Sequence, residues 1–102
     1  MAPDPQTLMR SRYSAFVLDE TDYLLETWHP DTRPAEVERN EPGTKWLGLK
    51  VISHKLIDAD QGHVEFVARM RNPQGKALRI HEISRFLRHN GHWFYIDGEM
   101  LD

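Results

Sequence analysis

The chain has 102 residues, of which 39% are hydrophobic and 28% charged, and its net charge is −3. These values fit one globular core and exclude the basic surface that nucleic acid or an anionic membrane requires. The absence of cysteine excludes disulfides, thiolate zinc sites and cysteine nucleophiles, and no apolar stretch is long enough to span a bilayer. We therefore expect one domain over residues 1–102 in a soluble, cytoplasmic protein.

The first part of the chain predicts two helices. Asp4 followed by Pro5 is a helix start, because the Asp side chain accepts free N–H groups and proline is tolerated in the first turn. Apolar residues at helical spacing then predict a helix that runs to about Leu18. A second, shorter helix begins near Thr21, and Pro30 ends it.

The rest of the chain predicts an antiparallel meander. Residues 30–43 are rich in proline and charge, which is typical of a loop or of one irregular helical turn. Three turn signals then separate four runs rich in β-branched and aromatic residues, and the predicted strands are Lys45–Asp58, His63–Asn72, Lys76–His89 and His92–Asp97. Short connections make neighbouring strands antiparallel. The fold class is therefore α+β, with N-terminal helices packed on a four-stranded antiparallel meander.

The dipeptide Asn90-Gly91 favours a two-residue type I′ turn, which fixes the register of the last hairpin. The predicted cross-strand pairs are His89–His92, Leu87–Phe94, Phe86–Tyr95 and Ser84–Asp97. Alternation along the strands then separates two faces. The predicted core face carries Val64, Phe66, Ala68, Met70, Leu78, Ile80, Phe86, Trp93 and Tyr95. The outer face mixes charged residues with an apolar set that is a candidate homodimer surface, namely Val67, Ile83, Leu87, Phe94 and Ile96.

Several polar side chains fall on the apolar face of this arrangement: His54, Glu82, Ser84 and Asp97. Arg12 points at the same interior, because it lies four residues from apolar positions on either side along the first helix. Ionised groups in an apolar interior must be paired or solvated. In one interpretation, Arg12 pairs with Glu82 or Asp97 in a structural network.

In the other interpretation, the polar residues line a pocket. His54 with Glu82 or Asp97 is then a candidate catalytic pair for proton transfer. The candidate ligand-binding residues are Arg12, Ser84, Trp93 and Tyr95.

Sequence motifs for other chemistry are absent. There is no glycine-rich phosphate loop, no G-x-S-x-G and no H-E-x-x-H. His89 and His92 flank the last turn and are a possible metal-binding pair, but no third ligand is visible beside them. A solvated hairpin end is the simpler interpretation, so we predict no metal and no cofactor.

Two segments resemble the middle domain of the bacterial YchJ-like family: LMRSRYSAFVLDETDYLLETWHPDTRP at residues 8–34 and HEISRFLRHNGHWFYIDG at residues 81–98. WLGL at residues 46–49 and HVEFVAR at residues 63–69 extend the resemblance over nearly the whole chain. The resemblance implies a nuclear transport factor 2-like fold, also described as cystatin-like, in which helices and a curved sheet form a cone around a cavity. Family members usually carry a cysteine-rich SEC-C zinc-binding motif, which this sequence lacks. The chain is therefore either an excised domain or a member that lost the motif, and zinc binding is not carried over.

Fold alone does not assign a function, since cone-shaped domains of this kind include enzymes, binding modules and assembly domains. Our first hypothesis is a non-catalytic module that binds a small molecule or a protein, because enzyme signatures are absent. The alternative is a small-molecule lyase or isomerase that uses the His54–carboxylate pair, with Tyr95 beside it. A homodimer scaffold built on the outer sheet face is a third hypothesis.

Overall fold

The structure is a computed structural model, and it describes residues 2–101. Its helices and strands are α1 (Pro5–Val17), α2 (Thr21–Glu26), β1 (Lys45–Asp58), β2 (Gln61–Arg71), β3 (Ala77–His89) and β4 (His92–Leu101). The strands form one antiparallel sheet in the order β1-β2-β3-β4. The α+β fold class and the meander predicted from the sequence are confirmed. No helix among the described residues is long and apolar enough to cross a membrane.

The start of α1 follows the sequence signal. The Asp4 side chain accepts a hydrogen bond from the backbone N–H of Thr7 at 2.7 Å, and Pro5 occupies the first turn.

Leu8 and Met9 of this helix pack on the sheet in one buried cluster with Val64, Phe66, Ala68, Phe86 and Trp93. The predicted core face therefore meets α1, although Leu78 near one end of the sheet is 38% exposed. Fully burying one large apolar side chain, such as Leu8 or Phe86, stabilises a fold by about 1.5–3 kcal/mol.

The segment that follows α2 lies along the edge of β4. The helix ends at Glu26, earlier than predicted, because the next residues pair with a strand instead of continuing the helix. The Tyr95 N–H donates to the Thr27 carbonyl at 2.9 Å, and the His29 N–H donates to the Tyr95 carbonyl at 2.8 Å. These bonds form a short parallel bridge that fastens the end of α2 to the sheet.

The last hairpin has the predicted turn. Asn90 and Gly91 have φ values of 52° and 79°, as a type I′ turn requires at both central positions. The pairs His89–His92, Leu87–Phe94 and Phe86–Tyr95 are confirmed.

Beyond Tyr95 the predicted register is wrong by one residue. Ile96 is an extra residue in β4, so Arg85 pairs with Asp97 and Ser84 pairs with Gly98. The carbonyl of Ile96 accepts a hydrogen bond from the Thr32 hydroxyl at 2.6 Å. A β-bulge of this kind turns every later side chain to the opposite face.

The bulge moves Asp97 away from the interior where the sequence placed it. Its carboxylate accepts two hydrogen bonds from the Arg85 guanidinium, each at 2.5 Å, on the outer face. The predicted Ser84–Asp97 pair and the predicted inward position of Asp97 are therefore both wrong.

His54 does not lie in the interior either. Strand β1 is an edge strand with three register shifts, at Leu47, Ile52 and Ile57, which bend it. Although His54 pairs with Val64, every residue from 52 to 58 is exposed.

The apolar residues predicted for the outer face are covered to different degrees. Val67 is buried, while the other four are half-buried, namely Ile83, Leu87, Phe94 and Ile96. The more exposed large apolar side chains of the sheet lie mainly on β1. A homodimer through the outer face stays a prediction.

The Arg85–Asp97 pair makes stability depend on pH. Hydrogen bonds from Arg85 hold the pKa of Asp97 below its ordinary value of 3.8. A carboxyl group with a lowered folded-state pKa stabilises the fold above its unfolded pKa, and that contribution is lost as pH falls through the folded value. We predict that the unfolding free energies of the native chain and Asp97→Asn differ at neutral pH and converge as pH falls below 3.8.

Denaturant unfolding at a series of pH values measures this difference. Glu26→Gln is the control, because its carboxylate forms no ion pair within residues 2–101. A gap between Asp97→Asn and the native chain that stays constant to the acid end of the series would contradict the prediction.

Candidate functional site

A pocket of about 190 Å³, partly open to solvent, lies between α1, the segment after α2 and the core face of the sheet. Its volume corresponds to about six waters at ~30 Å³ each. Ten of its thirteen lining residues are apolar or aromatic, and the three others are Arg12, Glu82 and Ser84. Such a composition is typical of ligand pockets, where a few polar groups fix the orientation of a mostly apolar ligand.

The Arg12 guanidinium is held between α2 and β4. One terminal nitrogen, Nη1, donates to the Leu24 carbonyl at 2.8 Å and to the Thr27 hydroxyl at 2.6 Å. Its central carbon lies 4.6 Å from the ring centroid of Tyr95 and 5.1 Å from that of Trp28, within the range of cation–π attraction. Arg12 is only 4% exposed.

Burial is the main influence on the Arg12 charge. Loss of solvent lowers the pKa of Arg12 to about 10, against smaller opposing effects of Tyr95, Tyr23 and Glu82, so the guanidinium is charged at neutral pH. It forms no ion pair with a carboxylate among residues 2–101. The predicted pairing of Arg12 with Glu82 or Asp97 is therefore wrong. Backbone, hydroxyl and ring groups replace the expected counter-ion.

Glu82 is placed at the pocket by its neighbours on β3 and β4. Its Oε2 atom accepts a short hydrogen bond from the Ser84 hydroxyl and a longer one, 3.4 Å, from the Tyr95 hydroxyl. The side chain lies directly on Gly98, where an added Cβ would come within 2.5 Å of the Glu82 carboxyl carbon. Glycine at this position therefore makes room for the carboxylate.

Tyr95 contacts both charged residues of the pocket. Its pKa is raised, first by burial and then by the Glu82 charge, while Arg12 opposes the shift. The phenol therefore keeps its proton at neutral pH and remains a donor to Glu82.

The aromatic wall depends on a hydrogen-bonded asparagine in the loop before β1. The Trp46 indole donates to Oδ1 of Asn40 at 3.2 Å, and the Asn40 amide donates to the Phe16 carbonyl at 2.7 Å. A further bond from the Asn40 amide to Asp19, at 3.0 Å, fixes the loop to the end of α1. Trp46 then packs edge-on against Tyr13, with ring centroids 5.6 Å apart.

Sequence reasoning missed the pocket residues Trp28 and Trp46. Both were visible as large aromatics beside predicted loop boundaries, but no spacing linked them to Glu82 or Arg12. Asn40 gave no signal, since one amide in a polar loop is ordinary. Nε1 of Trp28 is buried and has no hydrogen-bond partner among residues 2–101, which costs roughly 1–3 kcal/mol for a donor of this kind.

Four of the seven residues singled out from the sequence meet at the pocket: Arg12, Glu82, Ser84 and Tyr95. Trp93 is buried in the core, with the Arg88 guanidinium 5.5 Å from its ring, and does not line the pocket. His54 is exposed on β1, and Asp97 lies on the outer face. The predicted inward positions hold for the residues on α1, β3 and the start of β4.

The histidines at the hairpin end do not assemble into a metal centre. His89 and His92 pair across the turn, and the His29 ring lies 6.3 Å from that of His89. Within residues 2–101, no three His, Asp or Glu side chains are arranged to hold a metal ion.

Comparisons with known proteins agree with the architecture. The family model of the YchJ middle NTF2-like domain matches residues 4–98. A UPF0225 protein of Bordetella pertussis is 56% identical over 99 residues, which cover 97% of this chain and 74% of that protein. A UPF0225 protein of Polaromonas naphthalenivorans is 60% identical over 100 residues, covering 98% and 72%. The solution structure of a SEC-C motif containing protein from Rhodopseudomonas palustris superposes with a TM-score of 0.83 at 32% identity, covering 98% of this chain and 80% of that one.

The contact between Glu82 and Gly98 leads to a prediction about stability. We expect Gly98→Ala to lower the unfolding free energy by about 1–3 kcal/mol, as overpacking does, because the added methyl group displaces the Glu82 side chain. Chemical denaturation measures the change.

A double-mutant cycle is the control for this prediction. In a Glu82→Ala background, the added methyl group meets no carboxylate, so Gly98→Ala should cost much less. An equal cost in both backgrounds would show that Gly98 is required for the strand itself and not for Glu82.

Proposed function

The chain belongs to the family of the YchJ middle NTF2-like domain, and we propose that this domain binds a small, mostly apolar molecule in its pocket without transforming it. The observation that supports the proposal is the pocket of about 190 Å³, whose walls are aromatic and whose polar groups converge from α1 and β3. The names of the relatives suggest no ligand, so we infer the ligand from the residues that line the pocket.

The energetics of the pocket support binding over a purely structural role. Placing Arg12 and Glu82 beside apolar walls costs several kcal/mol per ion before compensation. Apolar side chains of similar volume stabilise an interior equally well or better. Charged groups that face an accessible pocket are therefore better explained by a ligand than by stability.

Catalysis by proton transfer has less support. The lyase or isomerase alternative requires a His54–carboxylate pair, but His54 is exposed on β1 and is not part of the pocket. Among residues 2–101, Glu82 is the one carboxylate that lines the pocket, and no imidazole lies beside it among the lining residues.

A protein partner, a homodimer and a cytoplasmic location are separate proposals. The homodimer rests on the half-buried apolar residues of the outer sheet face. The homodimer proposal fails if sedimentation shows a monomer at high protein concentration. The cytoplasmic location rests on the absence of cysteine, which fits a reducing compartment.

Binding in the pocket can be tested by NMR. We predict that some members of a panel of monocyclic aromatic and branched aliphatic fragments shift the indole N–H signals of Trp28 and Trp46, which line the pocket. The indole signal of Trp93 should stay unchanged, because Trp93 lies outside the pocket. Shifts of Trp93 alone, or of no indole, would contradict the proposal.

A filled pocket provides the matched control. We expect Ile80→Trp, which adds volume at the pocket, to abolish the fragment-induced shifts. Ile83→Trp lies on the same strand but on the outer face, and it should leave them intact. Loss of binding in both variants would mean that the fragments do not occupy the pocket.

A further inference from the structure

The Arg12 guanidinium has unused donors. An arginine carries five N–H groups, and Nη1 uses its two on Leu24 and Thr27. No acceptor among residues 2–101 takes the hydrogens of Nε or Nη2. The residue is 96% buried, since its exposed fraction is 4%.

These free donors belong to a side chain in the wall of the pocket. Arg12 lines it, and the fully buried polar side-chain atom that lacks a partner in the described chain belongs to Trp28, not to Arg12. Nε and Nη2 lie on one edge of the planar guanidinium, in the fork geometry that matches both oxygens of a carboxylate. A built site for a planar anion is therefore present on one wall of the pocket.

Glu82 supplies a complementary group in the same pocket. Its Oε2 accepts the Ser84 and Tyr95 hydroxyls, while Oε1 has no donor among residues 2–101. Tyr95 locates the two charges relative to each other, because its ring lies 4.6 Å from the Arg12 guanidinium carbon and its hydroxyl lies 3.4 Å from Glu82. A cation with free donors and a carboxylate with a free oxygen thus meet at one pocket without pairing.

We propose that the ligand is a small apolar carboxylic acid that also carries a hydroxyl or amino group. This inference rests on the proposed function and names its ligand class. The ligand carboxylate binds the free edge of Arg12, its hydroxyl or amino group donates to Oε1 of Glu82, and its apolar body contacts the aromatic walls. A second carboxylate is disfavoured by repulsion from Glu82.

Three probes with the same phenylpropyl body separate these contributions. They are 3-phenyllactate, which has a carboxylate and a hydroxyl, 3-phenylpropanoate, which lacks the hydroxyl, and 3-phenyl-1-propanol, which lacks the carboxylate. We expect dissociation constants to rise in that order, with the alcohol at least ten-fold weaker than 3-phenyllactate. The indole signals of Trp28 and Trp46 report binding in the native chain, so this comparison needs no variant.

Variants test whether Arg12 binds the carboxylate of the ligand and Glu82 its hydroxyl group. Arg12→Lys keeps a positive charge but loses the planar fork, and we expect it to weaken both acids at least ten-fold while the alcohol changes less than two-fold. Arg10→Lys, on the exposed side of α1, is the matched control and should change none of the three. Glu82→Gln should reduce the advantage of 3-phenyllactate over 3-phenylpropanoate.

The outcomes distinguish this inference from the proposed function. If the alcohol shifts the Trp28 and Trp46 signals at the same concentration as the acids, the pocket binds ligands but the carboxylate assignment is overturned. The assignment is also overturned if the fragment panel binds and neither acid does. If neither the panel nor the acids move these signals, the proposed function itself fails.

Discussion

The structure depends on one buried charge. Arg12 reaches from α1 to the carbonyl end of α2 and lies against aromatic rings of β4 and the segment after α2. Burial of a guanidinium costs several kcal/mol, and the hydrogen bonds to Leu24 and Thr27 offset only part of that cost. Cation–π contact with Trp28 and Tyr95 adds about 2 kcal/mol or more where water is excluded. Because the hydrogen bonds use only Nη1 and the rings contact the faces of the group, the edge formed by Nε and Nη2 remains for a ligand.

The sheet supplies the second requirement of the pocket, a carboxylate on the face of the sheet that lines the pocket. The bulge at Ile96 sends Asp97 outward to Arg85 and brings Gly98 opposite Ser84. Only a residue without a side chain fits beneath Glu82 there. One extra residue in β4 therefore separates the two carboxylates, so that one pairs on the outer face and the other serves the pocket.

Local signals in the sequence were sufficient for the elements and for half of the site. Asp4-Pro5 and Asn90-Gly91 fixed a helix start and a hairpin register, because both act through neighbouring backbone atoms. Alternation placed Glu82 and Ser84 correctly, since the extra residue lies in β4 and the alternation along β3 is uninterrupted. It failed for Asp97, because Ile96 is an extra residue in β4, and the carbonyl of this bulge accepts a hydrogen bond from Thr32, 64 residues away in sequence. A contact between residues so far apart in sequence leaves no periodic pattern in the sequence.

The central claim is that Arg12 presents free N–H groups to an open pocket, while Nη1 binds α2 and the segment after it and the face of the guanidinium packs on Tyr95 of the sheet. Side-chain NMR of the arginine guanidinium tests this most directly. The structure predicts nuclear Overhauser contacts from the Arg12 Nε–H to the rings of Tyr95 and Trp28, together with measurable exchange of that proton with water. A proton protected from water and close to the Glu82 carboxylate would contradict it, because Arg12 would then be one half of a closed ion pair.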